Sequence, residues 1–234
     1  VDARPARGDS PEPPARVARY AALAAAAREA ALGSVLLAQH ADDQAETLLL
    51  ALSRGAGLPG LSAMPADFER HGVRFLRPWL ELPGQALREL LRHEGLPHIE
   101  DPSNQDLRFT RNRIRAQLLP AWQHAFPQFR GTLARSARHV AQAQRLLEEV
   151  AEKDLDAMQG EPVLDALRSM SRQRQANLLR HWLRTAHGAA ASAAQLDELL
   201  DQVAACATRG HRIRLKVGTG FVVREGSRLR WAAG

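Results

Sequence analysis

The stretch from Gly33 to Ser53 constrains the architecture most. A glycine precedes Val35-Leu36-Leu37-Ala38, an apolar run that reads as a buried strand of a parallel sheet. The chain then turns acidic, and a helix is expected from Asp42 or Asp43 to about Ser53. The turn RGAGLPG, Arg54 to Gly60, stops it. Upstream, Ser10-Pro11-Glu12 is a helix-start signal: a capping hydroxyl, then a proline whose missing N–H costs nothing there. The alanine-rich run to Leu32 continues that helix, and Gly33 is placed as its left-handed stop. Helix, strand and helix in succession make a piece of an α/β layered domain.

Further along, Val73 to Leu76 is a strand candidate, and Gln85 to His93 a short helix closed by Gly95. LPHIEDPSNQD, Leu96 to Asp106, is turn-rich. A helical pattern runs from Arg108 to Leu119 and is expected to break at Pro120 and again at Pro127. Leu133 to about Met158 reads as a long helix. A domain boundary falls between the two prolines, dividing the chain into residues 1–122 and 123–234. The second part reads as α+β. Arg172 to His187 and Ala193 to Ala205 form amphipathic helices. Three alternating segments around Leu215, Val222 and Leu229, separated by glycines, form an antiparallel meander.

The formal net charge is +6 over 234 residues, and thirty of the thirty-two basic residues are arginine. The charge is unevenly placed. Residues 70–145 carry thirteen basic against six acidic side chains, and the last 24 carry six against one. The segments between are acidic. Two basic blocks suit a polyanion, with nucleic acid first among partners; solvated arginine faces are the plain alternative. No apolar run approaches the roughly 18 residues of a membrane span, so no membrane partner is expected. Cys206 stands alone, which excludes an intramolecular disulfide and a multi-cysteine metal site and favours a reducing, cytoplasmic setting.

Chemistry concentrates in HADDQAET, His40 to Thr47. The cluster lies beyond the carboxyl end of a parallel strand, where open α/β sheets bind ligands. On a helix, Asp43 and Glu46 are three apart and Asp42 and Glu46 four apart, so the carboxylates share a face. Such a set could hold a cationic substrate, a magnesium nucleotide or a transferred proton. The plain alternative is capping, with Asp42 or Asp43 as N-cap and Glu46 completing a capping-box-like pair. No second histidine cluster has ligand spacing, so no protein-bound metal is expected; His93 and His98 read as surface or packing residues.

The second dense segment is EDPSNQDLRFTRNRIR, Glu100 to Arg115. Arg111 and Arg115, four apart on a helix, repel unless phosphate or an acidic pocket lies between them. A solvated basic helix with Asp106 as partner is the alternative. RGAGLPGL is glycine-rich but follows a helix, the wrong order for a phosphate loop.

ARVARYAAL (Ala15 to Leu23), HADDQAET with LLLALSRGAGLPGL, RPWLEL (Arg77 to Leu82) and IEDPSNQDLRFTRNRIRAQLLP (Ile99 to Pro120) occur in this order. In that combination the chain resembles the bacterial tRNA(Ile)-lysidine synthetases. QANLLRHWLR and the terminal strands resemble their small substrate-binding domain more loosely. The resemblance implies a partial parallel-sheet nucleotide-binding domain of the adenine nucleotide α-hydrolase type, a helical linker and a small α+β domain. It implies a ligase that uses ATP with Mg²⁺ to adenylate the wobble cytidine of a minor isoleucine tRNA, after which free lysine displaces AMP. His40, Asp42 and Asp43 would be catalytic. Asp43, Glu46 and Arg111 would hold the lysine, and Arg113, Arg115, Arg212 and Arg214 would contact tRNA. A homodimer is an allowed assembly.

Two departures stand out. Gln39 occupies the first of two histidine positions usual at the head of the motif; it can hydrogen-bond but not shuttle protons. The family's serine-glycine-glycine-x-aspartate-serine loop, which wraps the ATP phosphates, has no counterpart string. The chain is therefore expected to begin inside the nucleotide domain, near its third strand, and to be inactive alone. Alternatives are a non-catalytic tRNA-binding remnant and a related tRNA-thiolating enzyme, although the latter class relies on cysteines.

Overall fold

The computed structural model describes residues 12–99, 101–206 and 211–233. They fall into two compact units, Val1–Ala141 and Gln142–Gly234.

The first unit begins with α1 (Glu12–Glu29), β1 (Ser34–Leu36) and α2 (Ala41–Ser53). There follow α3 (Leu58–Leu61), β2 (Asp67–Arg70), β3 (Val73–Leu76) and α4 (Gly84–His93). The expected start of α1 at Ser10 lies outside the described residues. Its end is earlier than expected. Ala31 takes the left-handed conformation (φ 53°), and the Leu32 amide donates to the Ala27 carbonyl at 2.8 Å. The helix is thus closed on an alanine two residues before Gly33, which is not needed as the stop.

β1 pairs in parallel with β3, and β2 pairs antiparallel with β3, giving the order β1-β3-β2. β2 was not expected, because Asp67, Glu69 and Arg70 mask its alternation. Its link to β3 is a two-residue turn at His71 (φ 53°) and Gly72 (φ 70°), the geometry that matches strand twist. The expectation that β1 is buried needs correcting. Val35 and Leu37 face the cluster that α1 forms, but Leu36 points to the opposite face and is 68% exposed. In that cluster Tyr20, Ala24 and Ala27 meet Val73 and Phe75, with the Tyr20 ring edge-on to Phe75 at 5.2 Å.

α4 closes as expected at Gly95 (φ 63°), with the Leu96 amide on the Leu91 carbonyl at 2.9 Å. Beyond a 3-10 turn (Pro102–Gln105) come α5 (Thr110–Arg113), a π-helical segment (Ile114–Leu118) and α6 (Leu119–Ala125). Pro120 does not break this path as expected. Proline removes one helical donor and crowds the carbonyl four residues back; the widened π turn immediately before it relieves both. Ala45 and Leu49 of α2 pack with Leu119 and with Phe129 at the start of α7 (Phe129–Ala157).

The second unit takes the remainder of α7, then α8 (Leu164–Ser169), which the sequence reading lacked, α9 (Arg172–His187) and α10 (Ala193–Ala205). β4 (Arg214–Val217), β5 (Gly220–Glu225) and β6 (Arg228–Ala233) form the expected antiparallel meander. Ser171 and Ser192 cap α9 and α10, and Gly188 (φ 61°) ends α9. The core is leucine-rich: Leu178, Leu179, Leu183, Leu199 and Leu200 pack on Val217, Val222 and Leu229.

Candidate active site

The acidic turn is capped two or three residues earlier than the sequence suggests. His40, not Asp42 or Asp43, is the N-cap residue of α2. Asp43, third in the helix, reaches back, and its Oδ2 accepts from the His40 amide at 3.0 Å. Capping therefore accounts for one oxygen of Asp43 and leaves Asp42 and Glu46 to other partners.

Asp42 is buried. Its Oδ2 accepts from the Gly84 amide at 2.8 Å, and its Oδ1 from Arg130 Nε at the start of α7. Burial pushes this carboxyl up, but the Arg130 and Gly84 bonds outweigh it and hold it below the usual carboxylate value. Gly84 allows this close approach: a Cβ there would stand 2.8 Å from both Asp42 Oδ2 and His40 Cε1, so one of those side chains would have to shift. The imidazole of His40 sits between two carboxylates. Nδ1 is 3.5 Å from Asp42 Oδ2, and Nε2 is 3.6 Å from Asp43 Oδ2.

Glu46 has no exposed surface. Arg115 grips it through two bonds, Nε to Oε1 at 2.8 Å and Nη2 to Oε2 at 3.2 Å. Arg111 Nη1 lies 3.8 Å from Oε2 and 3.4 Å from Thr47 Oγ1. Burial dominates and holds Glu46 above the usual carboxylate value, with Arg115 opposing. The arginines that would repel on an isolated helix thus share a buried acid. Asp43 keeps Oδ1 free of hydrogen bonds, 3.7 Å from Arg115 Nη2.

The other expected residues are spread out. Arg113 bonds the Leu107 and Arg108 carbonyls and Thr110 Oγ1, and so closes its own loop. Arg212 and Arg214 belong to the second unit, where Arg214 lies over the Phe221 ring at 3.9 Å from its centroid. The Asp106 carboxylate pairs with Arg108. Gln39 turns away from the acids: its Oε1 accepts from Arg77 Nε at 3.0 Å. Arg77 is buried and also donates to the Pro65 carbonyl and Tyr20 hydroxyl.

Four contributors escaped the sequence reading. Arg130 is 88 positions from Asp42, and Gly84 is 42 away. Gln44, inside the motif, both donates to and accepts from the Met64 backbone at 2.9 Å. Asn112 donates to the Ser103 and Asp106 carbonyls and so holds the DPSNQD loop. Only the burial of an amide within an otherwise charged helix start could have hinted at Gln44.

Two clefts open beside the start of α2. One, of about 430 Å³, is lined by His40, Asp42 and Arg115 among others. The other, of about 780 Å³, is lined by Asp43, Thr47, Arg111, Arg16, Arg19 and Arg54 among others. Among the described residues no group of three or more His, Cys, Asp or Glu could hold a metal ion. Cys206 is buried, with its Sγ accepting from Arg224.

A family model described as a PP-loop domain matches residues 1–122, and one described as the TilS substrate binding domain matches residues 163–230. A tRNA(Ile)-lysidine synthase of Polaromonas naphthalenivorans is 61% identical over 229 residues, covering 98% of this chain and 70% of that protein. The chain belongs to the tRNA(Ile)-lysidine synthase family. Relatives of the same name from Bordetella parapertussis and Burkholderia pseudomallei are 40% and 43% identical over 225 and 221 residues. The chain spans 65% and 45% of those two lysidine synthases, less than two thirds of their length. For a lysidine synthase family member, the order is a PP-loop nucleotide-binding domain and then a substrate-binding domain, each with a small sheet. No helix among the described residues is long and apolar enough to cross a membrane.

Proposed function

We propose that the protein joins free lysine to the wobble cytidine of a minor isoleucine tRNA. ATP first adenylates the base, releasing pyrophosphate, and an amine of lysine then displaces AMP to give lysidine. Family membership supports the reaction, and one observation supports the assignment of the lysine side. Among the described residues, Asp43 alone of the three carboxylates in the acidic turn presents an unbonded oxygen to a cleft that Arg111 also lines.

Asp43 thus holds the lysine ammonium and Arg111 its carboxylate, a pairing of opposite charges at two ends of one substrate. Glu46 does not reach the lysine directly. It fixes Arg115 and Arg111 from behind, so its part in lysine binding is to place Arg111. His40, between Asp42 and Asp43, takes the proton that the attacking amine must lose. Asp42, bonded on both oxygens, positions that imidazole.

ATP would be held in the larger cleft, where the guanidiniums of Arg16, Arg19 and Arg54 would offer charge to its phosphates. When bound, it supplies the adenylyl group that turns the cytosine oxygen into a leaving group, a task of positioning rather than covalent help from the protein. Mg²⁺ does not fit the acidic turn, where Asp42 and Glu46 are committed to arginine and backbone donors and a single oxygen of Asp43 is left, and no step is assigned to it. The tRNA lies against the basic blocks, with Arg113, Arg212 and Arg214 as contacts and Arg115 turned inward on Glu46. We place the functional division at residues 122 and 123, a reading that the extent of the PP-loop match supports, while the compact units divide at Ala141 and Gln142. The acids, their arginines and both clefts are built from one chain, and a homodimer stays an allowed assembly. A cytoplasmic setting, where ATP, lysine and tRNA meet, completes the reading.

In the full-length protein, Asp43→Ala should lower incorporation of labelled lysine into tRNA by about 100-fold or more, with tRNA affinity within about twofold. Incorporation at the wild-type rate would refute the lysine assignment.

A further inference from the structure

The smaller cleft is not used by the lysine or by ATP in this scheme, and its wall has an unusual balance. It is lined by Arg88, Arg115, Arg130, Asn104 and Gln123 beside His40 and Asp42. The carboxylate and amide oxygens in that wall are already engaged. The Asp42 oxygens take the Gly84 amide and Arg130, Gln123 Oε1 takes Arg130, and Asn104 Oδ1 lies 3.5 Å from Arg115 Nη1. What remains is donors: the Arg88 guanidinium on α4, the outer N–H groups of Arg115 and the Asn104 amide. Arg130 is balanced by Asp42 and Arg115 by Glu46 behind the wall, while among the described residues Arg88 has no carboxylate partner and supplies the excess charge.

A space lined by donors, with positive charge in excess, takes an anion with several acceptor oxygens. We infer that this cleft binds a backbone phosphate of the RNA strand that delivers the target base to His40. The inference rests on tRNA being the substrate. An RNA phosphate and a free inorganic phosphate share this chemistry. The position argues for the first, since His40, which lines the cleft, is also the group assigned the proton of the amine that attacks the target base.

Arg88 is exposed on α4, so replacing it leaves the acidic knot intact. Binding of an anticodon stem-loop of the isoleucine tRNA is measured as a function of salt for the wild-type chain, Arg88→Gln and Arg88→Lys. One lost phosphate contact should weaken binding severalfold at low salt and reduce the slope of log affinity against log salt by about 0.7–0.9. Arg88→Lys should keep the slope. Unchanged slope and affinity in Arg88→Gln, with wild type binding RNA, would overturn the inference.

A second arm titrates inorganic phosphate against the arginine side-chain resonances. If Arg88→Gln abolishes a phosphate response but leaves the RNA slope unchanged, the ligand is a free anion and the RNA assignment is overturned. If the wild-type chain does not bind RNA at all, the tRNA reading fails instead. The phosphate arm then decides: a response lost in Arg88→Gln supports an anion site, and no response overturns it.

Discussion

Removing Arg115 should expose how Glu46 is held. In Arg115→Met, a fully buried carboxylate loses charge-assisted bonds at 2.8 and 3.2 Å. Stranding one partner of a buried pair costs about 3–5 kcal/mol when nothing replaces it. Two features lower that figure: Arg111 Nη1 is already 3.8 Å from Glu46, and the Arg115 side chain is itself 42% exposed. The expected loss is about 2–3 kcal/mol, or roughly 5–10 °C in the melting temperature of a unit this size. The loss should also depend on pH. Burial already holds Glu46 above its usual value, so the folded state binds its proton more readily than the unfolded chain does. Its ionisation therefore destabilises the fold above the folded pKa, and that penalty vanishes below the unfolded value. Losing Arg115 pushes the carboxyl higher still. The deficit should be full near neutral pH and shrink as pH falls towards 4.5, the ordinary value for the group. Hydrogen exchange of peptides covering α2, across a urea series at two pH values, reads this directly. Adding Glu46→Gln to Arg115→Met should restore about half the loss or more, since no charge is then stranded. A double variant no more stable than Arg115→Met, or a deficit independent of pH, would refute the reasoning.

Other outcomes follow from the same contacts. Gly84→Ala forces a Cβ to within 2.8 Å of Asp42 and His40, so it should cost about 1–3 kcal/mol and shift the His40 ring resonances; an unshifted spectrum would contradict the close approach. Gln39→Leu removes one of three partners of buried Arg77 and should cost about 1–2 kcal/mol in a urea titration, while lysine incorporation by the full-length protein persists. In the second unit, burial depresses the His187 pKa below 6.5, and the ring stacks on Trp231 at 5.2 Å. The unfolded chain takes up that proton first, so the unit should lose stability as pH falls through about 6.5; His187→Phe should flatten the profile of urea midpoint against pH.

The parts of this fold carried by period or punctuation were legible in the sequence. α9, α10 and the meander have both hydrophobic alternation and a capping serine or turn glycine, and they stand where expected. β2 was hidden because three of its four side chains are charged, leaving Phe68 as the only apolar mark. α8 is only six residues long, below the length at which a helical period can be read. At the site, the residues were legible but not their partners. HADDQAET announces acids on one helix face. It contains nothing that says Asp42 will be tied to Arg130 or that Glu46 will be sealed beneath Arg115. Those pairings depend on where the π-helical segment and the start of α7 return in space, which local spacing does not encode. Hence the inward turn of Arg115 and the outward turn of Gln39 towards Arg77 could not have been read from the motif.

The π-helical segment Ile114–Leu118 can be regarded as one residue inserted into a helix. Deleting a residue there would return the backbone to ordinary α geometry and bring back the missing donor and the crowding at Pro120 that the wide turn relieves. It would also rotate everything beyond it by about 100° relative to Arg111. Leu119 would swing off Ala45 and Leu49, and the wall that Pro120 and Gln123 lend to the smaller cleft would face elsewhere. The length of that short stretch is therefore under tighter constraint than its composition: substitutions at exposed Ala116 or Gln117 are cheap, whereas a single-codon loss would break the register between the acids and the helices that shelter them.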